Sequence, residues 1–272
     1  MSLLQSHFGL ALPPFDTTEP PELLPRQKEI LDILLVHAHQ GGLCLLTGDI
    51  GTGKSAVKRA LVEHDPKRLV APVLNRSLHN YSAILRLLCE AFGVDPAGSP
   101  HACERRLIAH AHKLHRAGKM LVPIIDDAQL LAIDTLRRLR LLLDDFPRNH
   151  NLVLIAQPEL LGTLGLRINE DIRSRLTFSA ALQKLDEDAM SVFLTRELDR
   201  CGLAHSSIEE AAFGLIVRHA EGVLRHARNL ALGALLEAAH ARAKTVGLDH
   251  INAVLLQPHW RARHHPGAGD EA

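Results

Sequence analysis

Gly48-Asp49-Ile50-Gly51-Thr52-Gly53-Lys54-Ser55 fits the pattern G-x-x-x-x-G-K-[ST] in full. Just before it, Leu43-Cys44-Leu45-Leu46-Thr47 is short, apolar and bounded by glycines, which reads as a buried strand. Just after it, residues 55–64 read as a helix. Strand, glycine loop and helix in this order make a phosphate cradle. The glycines permit a tight turn, so successive backbone N–H groups can point at phosphate oxygens. The helix offers its positive N-terminal end to the same anion. Lys54 can reach the β- and γ-phosphates, and the Ser55 hydroxyl can ligate Mg2+. The expected cofactors are ATP and Mg2+, held by Gly48, Asp49, Ile50, Gly51, Thr52, Gly53, Lys54, Ser55 and Ala56. The competing reading, a plain glycine-rich turn, does not account for the strand and helix that flank it.

Outward from the loop, apolar runs at 69–74, 120–125 and 151–156 read as further strands, and 26–40, 81–92, 101–117 and 134–145 as helices. Their alternation predicts an α/β fold with a parallel sheet and right-handed crossovers, a three-layer P-loop core. After Leu182 no strand is expected. Asp186 can cap a helix reaching Cys201, and Ser207 with Glu210 forms a capping-box pattern. A long helix is expected over 224–246, ended by Gly247, and Asp249 starts a short one that Pro258 ends. The expected organisation is an irregular segment at 1–25, a core at 26–181, an all-helical lid at 182–258 and a disordered tail at 259–272. Pro13, Pro14, Pro20, Pro21 and Pro25 punctuate the first segment.

A second element follows about seventy residues after the loop. Leu121-Val122-Pro123-Ile124-Ile125-Asp126-Asp127 is an apolar strand that ends in two carboxylates, as a Walker B element does. Asp126 would hold Mg2+ and Asp127 would polarise the attacking water as general base. Capping the next helix is the competing role. Gln157, at the tip of the 151–156 strand, is placed to orient water near the γ-phosphate, or to bond to its own loop. Arg173 and Arg175 fall late in the core, where an arginine can act as a finger toward a neighbouring subunit's nucleotide. Arg225, with Arg228 one turn on, opens the long lid helix and can act as a second sensor. For each of these arginines the alternative is a solvated surface charge.

Composition narrows the class of protein without naming a partner. Apolar residues make up 46% of the 272, and aromatics 3%, so the core is built mainly from Leu, Ile, Val and Ala. Lys plus Arg, 31, balances Asp plus Glu, 31, which neither predicts nor excludes nucleic acid. Cys44, Cys89, Cys103 and Cys201 form no CxxC pair and read as reduced, buried thiols. No apolar run reaches membrane-span length and no secretory signal is evident, so a cytoplasmic location is expected. His110, His112 and His115 do not share a helical face, which argues against a metal site. The basic faces around them and at Arg137, Arg138 and Arg140 are solvated surface or a contact for DNA or a partner.

Taken together, these residues resemble the ExeA-like AAA+ ATPases, a family that includes transposition helpers similar to TniB, MuB and IstB. The opening His7-Phe8-Gly9-Leu10 with Pro14-Phe15 looks like that family's N-terminal signature. Ile125-Asp126-Asp127-Ala128-Gln129, Gln157-Pro158-Glu159-Leu160 and Gly222-Val223-Leu224-Arg225 match its later blocks in order. Asp127 stands where the family usually has Glu, one methylene longer, which implies slow hydrolysis. Leu224 stands where it usually has Pro. The resemblance implies a homo-oligomer, ring or filament, that assembles with ATP on double-stranded DNA and regulates a transposase. Secretion-type members carry membrane and peptidoglycan-binding segments after the ATPase, which are not expected in this chain. The second expectation is a nucleotide-dependent adaptor for a protein partner, with little turnover and no DNA role.

Overall fold

The computed structural model describes residues 3–16, 22–75 and 80–260. The chain divides into two compact units, Pro20–Gln183 and a second that joins Met1–Glu19 to Lys184–Ala272. The chain starts in the second unit with α1 (Leu3–Phe8). The first unit then runs α2 (Pro25–Gln40), β1 (Gly42–Gly48), α3 (Lys54–Glu63), β2 (Leu69–Val70), β3 (Val73–Leu74), α4 (Tyr81–Ala91) and α5 (Pro100–Arg116). It continues with β4 (Met120–Leu121), β5 (Ile124–Ile125), α6 (Ile133–Asp144), β6 (Asn151–Ala156), α7 (Glu159–Gly165), α8 (Glu170–Arg173) and β7 (Leu176–Leu182).

Five strands form a sheet in the order β3-β5-β6-β1-β7, and every pair in it is parallel. Alternate residues of a strand face opposite sides, and here both sides are covered. Leu43 and Leu45 of β1, with Leu152 and Leu154 of β6, pack into a core with residues of α4, α5 and α6. Cys44 and Leu46, with Val153 and Ile155, pack on the other face with residues of α2 and α3. The expected three layers follow directly from that alternation.

The two strands expected at 69–74 and 120–125 are each split by a proline. Pro72 and Pro123 have no N–H, so each removes one rung from the ladder. The pairing nonetheless runs through both breaks: Val122 N donates to Val70 O at 2.9 Å, Ile124 N to Pro72 O at 2.9 Å and Asp126 N to Leu74 O at 3.0 Å. β7 was not foreseen. It is an edge strand of alternating burial, and its exposed Thr177 and Ser179 break up the apolar run that marks the interior strands.

The second unit contains α9 (Glu187–Cys201), α10 (Glu210–Ala220), α11 (Leu224–His240) and α12 (Leu248–Leu255). Asp186 caps α9 as expected, its carboxylate accepting Ala189 N–H at 2.7 Å. Three expectations are corrected here. Ser207 does not cap α10: Val246 N donates to Ser207 O and Glu209 N to Val246 O, so this stretch is extended and the helix starts at Glu210. The same bridge ends α11 early, because the chain leaves the helix through Arg242 in the left-handed region (φ 56) to bring Val246 back. Asp249 lies inside the first turn of α12, whose N-cap is Gly247.

The N-terminal segment is not irregular throughout. α1 packs on α11, and Leu4, Leu10 and Phe15 are buried in this unit's core. At the other end Trp260 is 3% exposed and belongs to the same core, although the sequence places it in a tail. The remainder of that tail, including His264-His265, lies outside the described residues.

Candidate nucleotide-binding site

The register puts three strand ends at one edge of the sheet. Thr47 of β1 pairs with Ala156 of β6, and Ile125 of β5 with Leu154 of β6. Parallel strands emerge on the same side, so Gly48, Asp126 and Gln157 follow one another along that edge, where ligands of parallel sheets bind.

The loop from Gly48 is shaped by its glycines. Gly51 and Gly53 take φ of 85° and 99°, the left-handed region that costs a side-chain-bearing residue roughly 1–2 kcal/mol. Gly53 is the N-cap of α3, so the helix opens straight out of the loop. A Cβ on Gly48 would lie 2.7 Å from Thr52 Oγ1 and 2.8 Å from the Leu182 carbonyl oxygen. The buried Thr52 ties the loop to itself, its hydroxyl donating to Asp49 O at 2.9 Å. Lys54 Nζ donates to Gly48 O at 2.6 Å and Asp49 O at 2.9 Å, so its ammonium lies inside the curl of the loop. Ser55 and Ala56 occupy the first turn of α3, and Ile50 is 57% exposed at the loop tip.

Beside the loop, Lys58 Nζ pairs with Asp126 Oδ2 at 2.6 Å, with only 20% and 19% of the two side chains exposed. Lys58 is four residues after Lys54, and this i, i+4 spacing on one helix face was the sequence signal that could have found it. Asp127 takes φ 53° and ψ 40°, a left-handed conformation that Asp tolerates better than most residues. Its N–H donates to Asp126 Oδ1 at 3.1 Å. Asp127 stands at the N-cap position of the short 3-10 turn at 128–130, but its side chain makes no capping bond there, and the N-cap of α6 is Ala132. Gln129, singled out in the sequence only as part of a matching block, donates to Asp127 Oδ1 at 3.2 Å and accepts Gln157 N–H at 3.0 Å. Gln157 is half-buried at the tip of β6.

The arginines lie elsewhere. β7 runs parallel to β1 from Leu176 opposite Leu43, so Arg173 and Arg175, just before it, sit at the opposite end of the sheet from Gly48. Both are exposed, and Arg173 is ion-paired to Glu170. The segment is held by Arg137, which donates to Asp171 Oδ2 at 2.7 Å and to Asp134 Oδ1 at 2.6 Å. Arg225 is exposed in the first turn of α11, in the other unit.

These groups fit a Mg2+-nucleotide. A cradle too tight for a Cβ surrounds an ammonium, and a hydroxyl (Ser55) and a carboxylate (Asp126) stand on adjoining elements. Oxygen donors of this kind suit a hard cation. Asp126 would have to share or release Lys58 to serve as a ligand.

Fold and loop define the class: this is a P-loop protein with the AAA+ core. A family profile described as AAA domain matches residues 37–164. The chain is 31% identical to General secretion pathway protein A of Aeromonas hydrophila over 245 residues, 86% of this chain and 44% of that protein. The chain is thus similar to the ExeA-like AAA+ ATPases. It spans less than half the length of that relative. Among solved structures, the ORC2 protein of Aeropyrum pernix, with ADPNP and ADP, matches at TM-score 0.71 and 18% identity, over 89% of this chain and 71% of that one. The ORC1 protein of the same organism, in complex with DNA, matches at 0.69 and 20%, over 92% and 68%. The Holliday junction branch migration motor RuvB of Thermotoga maritima matches at 0.55 and 18%, over 85% and 67%. At such identities the likeness is one of fold. Among the described residues, no helix is long and apolar enough to cross a membrane.

Proposed function

We propose that this chain binds and hydrolyses ATP with Mg2+, assembles with further copies on double-stranded DNA in its ATP form, and regulates a transposase by selecting or delivering target DNA. The observation that carries the ATPase reading is the joint placement of Lys54, Asp126, Asp127 and Gln157 along one sheet edge.

In this reading the loop's N–H groups and Lys54 bind the phosphates, while Ser55 and Asp126 hold Mg2+. When bound, Mg2+ neutralises phosphate charge as the bond to the leaving ADP breaks. Asp127 accepts a proton from the attacking water, whose oxygen bonds to the γ-phosphorus, and Gln157 orients that water. Arg173 or Arg175 stands too far from its own loop to serve it, because β7 spans seven residues, roughly 20 Å. Either is suited to a neighbouring copy's γ-phosphate, and Arg225 keeps the second-sensor role that the motif resemblance implies. The DNA part is supported by the fold shared with a protein solved on DNA. The transposase part is supported by the motif resemblance.

A second reading has its own support. The Lys58–Asp126 ion pair and the short acid at 127 both favour a slow ATPase that acts as a nucleotide-dependent adaptor for a protein partner. ATP turnover with and without double-stranded DNA, at low and moderate salt, separates the two. Turnover stimulated by DNA and weakened by salt is expected on the first reading. ATP binding with turnover indifferent to DNA would favour the adaptor.

A further inference from the structure

Gln129 touches both parts of the hydrolytic set. Its Oε1 accepts the backbone N–H of Gln157 at 3.0 Å, and its Nε2 donates to Asp127 Oδ1 at 3.2 Å. Chemistry fixes which way the amide points. A backbone N–H can only donate and an ionised carboxylate can only accept, so just one of the two flipped orientations makes both bonds. The short 3-10 turn that carries Gln129, Ala128–Leu130, follows directly on β5 and Asp127, and Ala128 is 0% exposed. Gln129 is therefore mounted on a rigid base, whereas the Asp127 side chain is exposed and its carboxylate is steered by the partners it finds.

We propose that Gln129 is a positioning residue for ATP hydrolysis, a clamp that holds the Asp127 carboxylate at a set distance from the tip of β6. Base and sensor strand then move as one. The inference rests on the reading of Asp127 as general base. The clamp acts on the base and leaves the phosphate loop alone: among the described residues, no side-chain hydrogen bond joins Gln129 to residues 48–55. Its loss should thus lower kcat and spare nucleotide binding.

The discriminating variant is Gln129→Glu. The new carboxylate still accepts from Gln157 N–H, but it cannot donate to Asp127 and sets two anions side by side. Expected are a kcat lower by roughly tenfold to a hundredfold, the loss a misplaced catalytic group brings, an ATP KM changed by less than about twofold, and a lower Tm. Adding Asp127→Asn to Gln129→Glu supplies an NH2 at 127 that donates to the carboxylate at 129, so the bond returns with its polarity reversed and Tm recovers. This thermal cycle reads the contact even where turnover is slow. Wild-type kcat in Gln129→Glu overturns the clamp, as does a loss of ATP affinity equal to the loss of kcat, or a Tm that the second change fails to restore. Wild-type turnover in Asp127→Asn alone would instead remove Asp127 as the base, a failure separate from the other three.

Discussion

Lys58, one turn beyond the phosphate-loop lysine, holds the carboxylate of Asp126 at 2.6 Å, with each side chain about one-fifth exposed. The group proposed to ligate Mg2+ thus already has a cation of its own. A helix side chain and a strand-end side chain meet here because α3 packs on β1 while β5 runs two strands away in the same parallel sheet.

Lys58→Met should lower the Mg2+ concentration needed for half-maximal nucleotide binding. An ion pair worth about 1 kcal/mol corresponds to about fivefold in that concentration. Calorimetric titration of ATP at graded Mg2+ checks it, and an unchanged Mg2+ requirement would mean that Lys58 does not compete.

Gly48→Ala should damage the loop more than its one methyl suggests. The added Cβ meets the Leu182 carbonyl, which belongs to the backbone of β7 and cannot swing aside. A cost of about 1–3 kcal/mol in stability is expected, together with weaker ATP binding. Lys54→Ala, in contrast, should abolish tight ATP binding while leaving Tm close to that of wild type. Thermal melts paired with nucleotide titration separate the two.

Leu10→Ala should destabilise the helical unit by about 2–4 kcal/mol, since it empties a fully packed position. Trp260 is the only tryptophan and lies in the same core, so its fluorescence reports this unit's unfolding directly. A denaturation midpoint equal to wild type would show that the N-terminal segment contributes nothing to this core.

His150 carries a pH dependence. Burial holds its imidazole below the ordinary 6.5, against the opposing pull of its hydrogen bond to Pro147 O. The unfolded chain therefore binds a proton, as pH falls below 6.5, that the folded chain resists. Stability should fall with pH from 6.5 downward until the folded form also protonates. His150→Gln should shrink the difference between denaturation midpoints taken at about pH 7.5 and about pH 5.5, the range in which histidine titrates. The same slope in both proteins would clear His150.

Much of the α/β unit was legible because its signals are local. An apolar run with glycines on either side reads as an interior strand, and the β1–loop–α3 passage is written in consecutive residues. β7 was hidden because an edge strand packs one face, and its alternating polar residues look like loop. Ser207 and Glu210 carry a good capping pattern, yet a bridge to Val246, far along the chain, overrode it. Trp260 and the N-terminal Leu4 and Phe15 carried no periodic signal, since Leu4 and Trp260 are single anchors on short helical stretches and Phe15 sits in a turn, too little for a period to show.

By itself, the sequence determined the phosphate loop, the acidic strand end and the parallel α/β class, because each rests on backbone preferences and side-chain spacing within a few residues. Only the tertiary structure decided that Lys58 would hold Asp126, that Gln129 would join Asp127 to Gln157, and that Arg173 and Arg175 would stand at the far end of the sheet from Gly48. Those relations depend on strand order and register, which set distances between residues that the chain keeps far apart.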